Sequence, residues 1–254
     1  MPEILAVVNQ KGGVGKTTTC INLSASLSKT TRKVLLVDLD PQSNATRGCG
    51  LDPHGLSTSI NDLLLGRSSA GEIIVQPDNI DFSLLPATPD LTESEVMLIS
   101  SEHKEYTLKN ILSAFNTEYD YIIIDCPPSL NILTVNALSA ASGVLIPVQC
   151  EFFALQGLSE LITTIDTIKN SSNKDLIIKG IIRTMFDPRN NLATDVSAQL
   201  LKFFDDKVYR TIIPRNITLA EAPSHGMPVI NYDKGSKGAL SYLSLVGEII
   251  KQER

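Results

Sequence analysis

The chain of 254 residues is long enough to bury one large core, and nothing in it forces a division, so a single domain over residues 1–254 is expected. Its 43% apolar and 20% charged residues exclude extended disorder. No apolar run approaches the roughly 18 residues of a membrane span, and a net charge of −6 argues against a strongly basic nucleic-acid binder. Residues 181–254 carry ten Lys/Arg against eight Asp/Glu, which makes that third +2 and leaves the first 180 residues at −8. A local basic face and ordinary surface scatter both fit that distribution. Cys20, Cys49, Cys126 and Cys150 form no C-x-x-C pair, so a metal or redox centre is unsupported. The opening "MPEILAVVNQ" has no basic region followed by a signal core, and the expectation is a cytoplasmic protein.

The first predicted element is the strand "ILAVV" (4–8), a continuous apolar run of the kind buried on both faces. "KGGVGKTTT" (11–19) follows and leads into a helix predicted over 16–29. Glycines let a loop turn tightly and point successive N–H groups inward; the helix N-terminus adds its dipole, and the result is a cradle for phosphate oxygens. Gln10 stands where the ordinary phosphate loop has its first glycine, and Gly12 and Gly13 compensate. Val14 and Gly15 complete the loop. Lys16 is placed to reach β- and γ-phosphates, Thr17 to offer its hydroxyl to Mg²⁺, and Thr18 to donate to another phosphate oxygen. Lys11 is surplus to this pattern. It reads either as a solvated loop lysine or as a second cation for phosphoryl transfer, serving its own nucleotide or a neighbour's.

Further strands are predicted at 33–38, 80–87, 121–125, 143–148, 177–186 and 208–214, alternating with helical stretches at 107–116, 131–140, 154–170 and 192–204. That alternation predicts the α/β class: a doubly wound, mostly parallel sheet flanked by helices. In the last segment, "GALSYLSLVGEIIKQER", Leu240, Leu243, Val246 and Ile250 recur at helical steps and predict a core-docking helix. Ligands of such sheets sit at the carboxyl ends of the strands, where Asp38, Asp40 and Asp125 lie. Asp125 closes "YIIID" and suits a metal-holding role, through a water because Mg²⁺ dehydrates reluctantly, with Asp38 supporting the metal shell. Loop capping is the alternative for Asp38 and Asp40. Cys126 reads as a small buried residue and His225 as a structural one.

"KGGVGKTTT" resembles the deviant Walker A box of the ParA/MinD/Soj ATPases. "VLLVDLDPQSNAT" (34–46), "YDYIIIDCPPSL" (119–130), "IPRN" (213–216) and "LAEAPSHGMPV" (219–229) are similar to the chromosomal ParA (Soj) branch, over nearly the whole chain. The resemblance implies a P-loop NTPase fold of the SIMIBI type, with ATP and Mg²⁺ as ligands and slow hydrolysis. It also implies an ATP-sandwich homodimer in which Lys11 crosses to the partner's ATP. Asp40 is implied to position or activate the attacking water, Pro41 and Gln42 to lie in a switch loop that senses the γ-phosphate, and Pro214 and Asn216 to contact the base. No glutamate follows Asp125 and no arginine finger in cis stands out, which suits a timer better than metabolic turnover.

In the ParA branch, the resemblance implies that the ATP-bound dimer binds double-stranded DNA nonspecifically and that a ParB-type partner stimulates hydrolysis. Arg189 matches a basic position of that family, and Lys202, Arg215 and Lys237 are further DNA-binding candidates in the same third. Thr218 and Met227 stand where close relatives often have basic residues, which implies DNA affinity that is weak or salt-sensitive. The MinD branch binds membranes through a C-terminal amphipathic helix; here only four residues follow Ile250, so no membrane partner is expected. A cluster-bridged iron protein would need a cysteine spacing that is absent. A nucleotide-dependent interaction module that regulates replication stays open beside the partition reading. The expected protein is thus a cytoplasmic, nucleoid-associated ATPase of chromosome or plasmid partition.

Overall fold

A computed structural model describes residues 1–252. Seven strands make one sheet: β1 (Glu3–Val7), β2 (Val34–Asp38), β3 (Ser83–Leu85), β4 (Tyr121–Asp125), β5 (Gly143–Gln149), β6 (Ile177–Phe186) and β7 (Val208–Pro214). They lie in the order β3-β2-β4-β1-β5-β6-β7, and every neighbouring pair is parallel. One isolated antiparallel bridge, Val75 to Leu84, is added at the β3 edge. Parallel neighbours cannot be joined by a tight turn, so each connection crosses over a face and carries helix with it. β1 sits at the centre, between β4 and β5, and the loop after it opens where the chain changes direction across the sheet.

Alternate residues of each strand point to opposite layers. Ala6, Val37, Ile122, Ile124, Val144 and Ile146 face a core closed by Leu133, Leu138, Leu158, Leu161, Ile165, Val196 and Leu200. These belong to the helices Ile132–Ala140, Ala154–Ser171 and Asn191–Phe204. Leu5, Val7, Leu36, Ile123 and Leu145 face the other core, filled by Ile21, Leu23 and Leu27 of the helix Lys16–Ser28 and by Tyr242, Leu245 and Ile249 of the helix Lys237–Lys251. Central strands buried on both faces are why the sequence shows continuous apolar runs instead of alternation.

The strands and long helices fall within a residue or two of their predicted places, but β3 is shorter than the predicted 80–87 and the helix expected over 107–116 stops at Leu112, passing into a 3₁₀ turn at Ser113–Phe115. The last helix forms where predicted, yet it docks on a different stripe. Ala239, Tyr242, Leu245, Val246 and Ile249 are buried, whereas Leu240 is 53% exposed and Leu243 and Ile250 are half-buried. Of the predicted stripe Val246 is buried, but the pattern missed that Tyr242 is the anchor: its hydroxyl lies 3.1 Å from Thr19 Oγ1 on the helix Lys16–Ser28. The end of that helix's "KQER" at residues 253 and 254 lies outside the described residues.

Gly180 lets β6 pass against Tyr209 of β7, where an added Cβ would meet the ring at 2.2 Å. Gly180→Ala is expected to cost about 1–3 kcal/mol of stability by overpacking, and a denaturant midpoint within error of the parent would refute that account of the β6–β7 contact.

Candidate functional site

The loop between β1 and its helix is tied down before any ligand arrives. Asn9 Nδ2 donates to Pro147 O at 2.7 Å, and Asn9 Oδ1 accepts from Lys11 N at 2.9 Å, so one side chain fixes the loop's first turn to β5. At its far end Thr184 Oγ1 donates to Val14 O at 2.8 Å, which anchors the buried Val14 to the end of β6. Gly13 and Gly15 adopt φ of +73° and +89°, values that strongly favour glycine. Gly15 immediately precedes the helix Lys16–Ser28, whose first-turn N–H groups therefore open toward the cavity above.

That cavity has a volume of about 560 Å³. Gly12, Gly13, Gly15, Lys16, Thr17 and Thr18 form its floor, and Asp40, Gln42 and Asn44 one of its walls. Lys16 is 7% exposed, and its Nζ donates back to Lys11 O at 3.3 Å. Burial lowers the Lys16 pKa, opposed by the carboxylates of Asp125 and Asp40. A smaller cavity of about 210 Å³ adjoins the first through Gly15, Thr18 and Met185 and is lined by Pro214, Arg215 and Asn216. The two residues assigned to the base thus sit beside the phosphate cradle.

The three aspartates have separate surroundings. Asp38 is fully buried; Oδ2 accepts from Thr46 N at 2.8 Å and Thr46 Oγ1 at 2.7 Å, and Oδ1 accepts from Asp40 N at 3.2 Å. Its carboxylate therefore organises the segment after β2, and burial raises its pKa despite those donors. Asp40 reaches the cavity, with Oδ1 accepting from Gln42 N at 2.9 Å in a short turn that ends at the left-handed Ser43. Asp125 is fully buried, its Oδ1 takes a weak contact from Cys20 Sγ at 3.4 Å, and its Oδ2 has no protein partner. Burial and the neighbouring Asp38 charge push the Asp125 pKa up, opposed by the Thr17 hydroxyl.

An orphaned carboxylate oxygen beside a threonine hydroxyl and under a phosphate loop fits a Mg²⁺ held partly by phosphate and water. Among the described residues no group of three or more His, Cys, Asp or Glu could hold an ion alone. Cys126 is buried, as expected, and burial next to Asp125 raises its thiol pKa. His225 stacks on Tyr232 with ring centroids 5.0 Å apart, outside the cavity wall.

Lys11 does not reach into the cavity. Its Nζ forms an ion pair with Glu151, just beyond β5, and both side chains are about half exposed. Sequence reasoning missed Glu151 and Thr184, because each acts on the loop from a distant strand end, and Asn9, whose bond to Pro147 O reaches across to β5. It also passed over Arg47, which lines the cavity from the helix Asn44–Gly48.

The DNA-binding candidates separate. Arg189 follows β6, Arg215 follows β7, and Lys237 begins the last helix beside Phe186, Pro188 and Pro214, so these three share the carboxyl end of the sheet. Arg189 is bonded through Nε and Nη2 to Asp187, which holds the Asp187 carboxyl at about 2. Lys202 lies near the end of the helix Asn191–Phe204, roughly 16 Å along its axis from Asn191, toward the opposite edge of the molecule. Among the described residues no helix is long and apolar enough to cross a membrane.

A family model described as "AAA domain" matches residues 2–178. The chain is 48% identical over 249 residues to the sporulation initiation inhibitor protein Soj of Bacillus subtilis, covering 98% of each chain. It is 46% identical over 253 residues to the chromosome-partitioning ATPase Soj of Treponema pallidum, covering 100% of this chain and 99% of that one. Among solved structures, it matches the cobyrinic acid a,c-diamide synthase from Mycobacterium smegmatis with bound ADP and magnesium: TM-score 0.88, 37% identity, 100% of this chain and 96% of that one.

Proposed function

The chain belongs to the ParA/Soj family of partition ATPases, and from that premise we propose that it is an ATP-driven switch whose nucleotide-bound dimer engages DNA. The observation that carries the reading is the convergence of a preorganised phosphate loop, Lys16, Thr17 and Asp40 on one cavity, with the orphaned oxygen of Asp125 buried behind Thr17. The relative from Treponema pallidum is named a chromosome-partitioning ATPase, which supports the partition reading. The synthase name belongs to a protein 37% identical, and the ADP and magnesium bound there support the same nucleotide site.

In this reading the loop N–H groups and Lys16 bind the phosphates of ATP, while Pro214 and Asn216 border the base. Thr17 and Asp125 would hold a Mg²⁺ brought in with the nucleotide, and the ion would supply neutralisation of phosphate charge during transfer. Asp40 orients the attacking water and can take its proton at the carboxylate. Asp38 fixes the segment that presents Asp40, through Asp40 N and Thr46. Lys11, freed from Glu151, serves the nucleotide of a second copy, so hydrolysis and dimerisation are coupled.

The Glu151 pair competes with that transfer. An exposed ion pair is worth about 0.2–1 kcal/mol, so Glu151→Gln is expected to strengthen ATP-dependent dimerisation by a few-fold. Analytical ultracentrifugation checks this; a weaker dimer would mean that Glu151 contributes to the assembled interface instead.

Arg189, Arg215 and Lys237 support a phosphate-backbone contact at the carboxyl end of the sheet, with Lys202 outside it. Asp187 already neutralises part of Arg189, and Thr218 and Met227 add no charge, so DNA affinity is expected to be low and lost at physiological ionic strength. The experiment for the whole reading is ATP turnover alone, with duplex DNA and with a ParB-type protein. Slow turnover stimulated by the two together supports the partition switch. Turnover indifferent to both, with tight DNA binding absent at low salt, would refute it.

A further inference from the structure

Arg47 is the cation that the rest of the site leaves unexplained. It extends from the helix Asn44–Gly48, seven residues past Asp40, and forms part of the cavity wall with Asn44, Gly48, Pro223 and Ser224. Across the cavity lie the phosphate loop and Lys16. Among the described residues no carboxylate pairs with it; its recorded polar contact is a long one, Nη2 to His54 Nε2 at 3.5 Å. A guanidinium left unneutralised at the rim of an anion-binding cavity has a ready ligand there.

The backbone beneath Arg47 is unusually well held for an exposed residue. Thr46 N and Oγ1 both donate to Asp38 Oδ2, and Thr46 Oγ1 accepts from Ala87 N at 2.9 Å. The residue before Arg47 is therefore fixed to the buried aspartate that also positions Asp40. Gly48, the residue after, packs so close to Ile21 of the phosphate-loop helix that a Cβ would meet Ile21 Cδ1 at 2.5 Å. Both neighbours of Arg47 are pinned to the nucleotide site, and its side chain is left free to close over it.

We propose that Arg47 is a nucleotide-binding residue that contacts, in cis, a phosphate oxygen of the bound nucleotide from the Asp40 segment. A planar guanidinium can donate two parallel hydrogen bonds to phosphate, which an ammonium cannot reproduce. Arg47 thereby links nucleotide occupancy to the segment that presents Asp40. This rests on the nucleotide reading of the cavity.

The test is equilibrium binding of fluorescent ADP with Mg²⁺ to the full chain, chosen because ADP binding does not depend on dimerisation. Arg47→Ala is expected to weaken ADP binding about tenfold or more, with a shallower salt dependence. Arg47→Lys is expected to recover part of the loss, and His54→Ala to leave affinity unchanged. Arg47→Gln, which keeps most of the stem, is the second variant should alanine impair folding, and thermal midpoints check that. An Arg47→Ala affinity within twofold of the parent would overturn the proposal while leaving the nucleotide reading intact. So would unchanged ADP affinity with loss of the ATP-dependent dimer, which would assign the cation to a second copy. Failure of the parent chain to bind ADP at all would overturn the nucleotide reading and this assignment with it.

Discussion

Lys11→Ala is expected to abolish ATP-dependent dimerisation and to reduce turnover by about 10³-fold, the scale on which a cation supplied across an interface acts in phosphoryl transfer. Binding of ATP by the single chain should change by less than about threefold, because Lys11 is engaged with Glu151 and its side chain lies outside the cavity. The two effects separate this role from that of Lys16, whose Nζ lies within the loop and lines the cavity. Light scattering and fluorescent-nucleotide titration on one preparation check both halves. A Lys11→Ala protein that still dimerises with ATP would remove the trans role. One that no longer binds nucleotide would place Lys11 on its own chain's phosphates.

Asp40→Ala gives the opposite signature. Removing the carboxylate that faces the cavity should slow hydrolysis by about 10²–10⁴-fold, the usual contribution of a positioned acid–base group. ATP affinity should hold or rise slightly, since a negative charge leaves a phosphate site. The variant should therefore accumulate as the ATP-bound dimer. Two bonds made by the Asp40 turn, Gln42 N to its side chain and Ser43 N to its backbone oxygen at 2.8 Å, bear on the outcome. Only the first is lost, so the segment keeps its backbone turn, and Asp40→Asn, which can still accept at Oδ1, is the control for turn geometry. Unaltered turnover in Asp40→Ala would move the water-orienting role elsewhere, with Gln42 in the same wall as the next candidate.

The parallel sheet was readable because its strands are buried on both faces. "YIIID" and "VLLVD" have no polar alternation to hide them, and their terminal aspartates fall beside each other across β2 and β4, Asp38 opposite Asp125. The phosphate loop was equally legible, since its glycines and Lys16 act within a few consecutive residues. Relations between distant segments were not. Glu151 pairs with Lys11 across 140 residues, and Thr184 holds Val14 across 170; neither has a local signature. Arg47 was hidden for a related reason: a five-residue helix gives no periodicity to place one arginine on a cavity wall. The last helix shows the limit of an aliphatic pattern, because Tyr242 and small Ala239 join Val246 on the docked face while Leu240 stays exposed.

Asp38 shows how one residue type carries two readings at once. As a loop cap it is fully occupied, by Thr46 and the Asp40 amide; in the proposed reading it would also stand behind Asp125, whose unpartnered oxygen would face an ion. The capping bonds are what place Asp40, so the loop-cap role does not compete with the proposed one.

The account turns on an ATP-dependent dimer made through Lys11, and the most direct measurement is the solution mass of Asp40→Ala with Mg²⁺ and ATP, beside the same protein carrying Lys11→Ala. The prediction is a mass that doubles with ATP but not with ADP, and that stays at the single-chain value in the double variant. A single-chain mass for Asp40→Ala at saturating ATP, or a dimer that persists without Lys11, would contradict it.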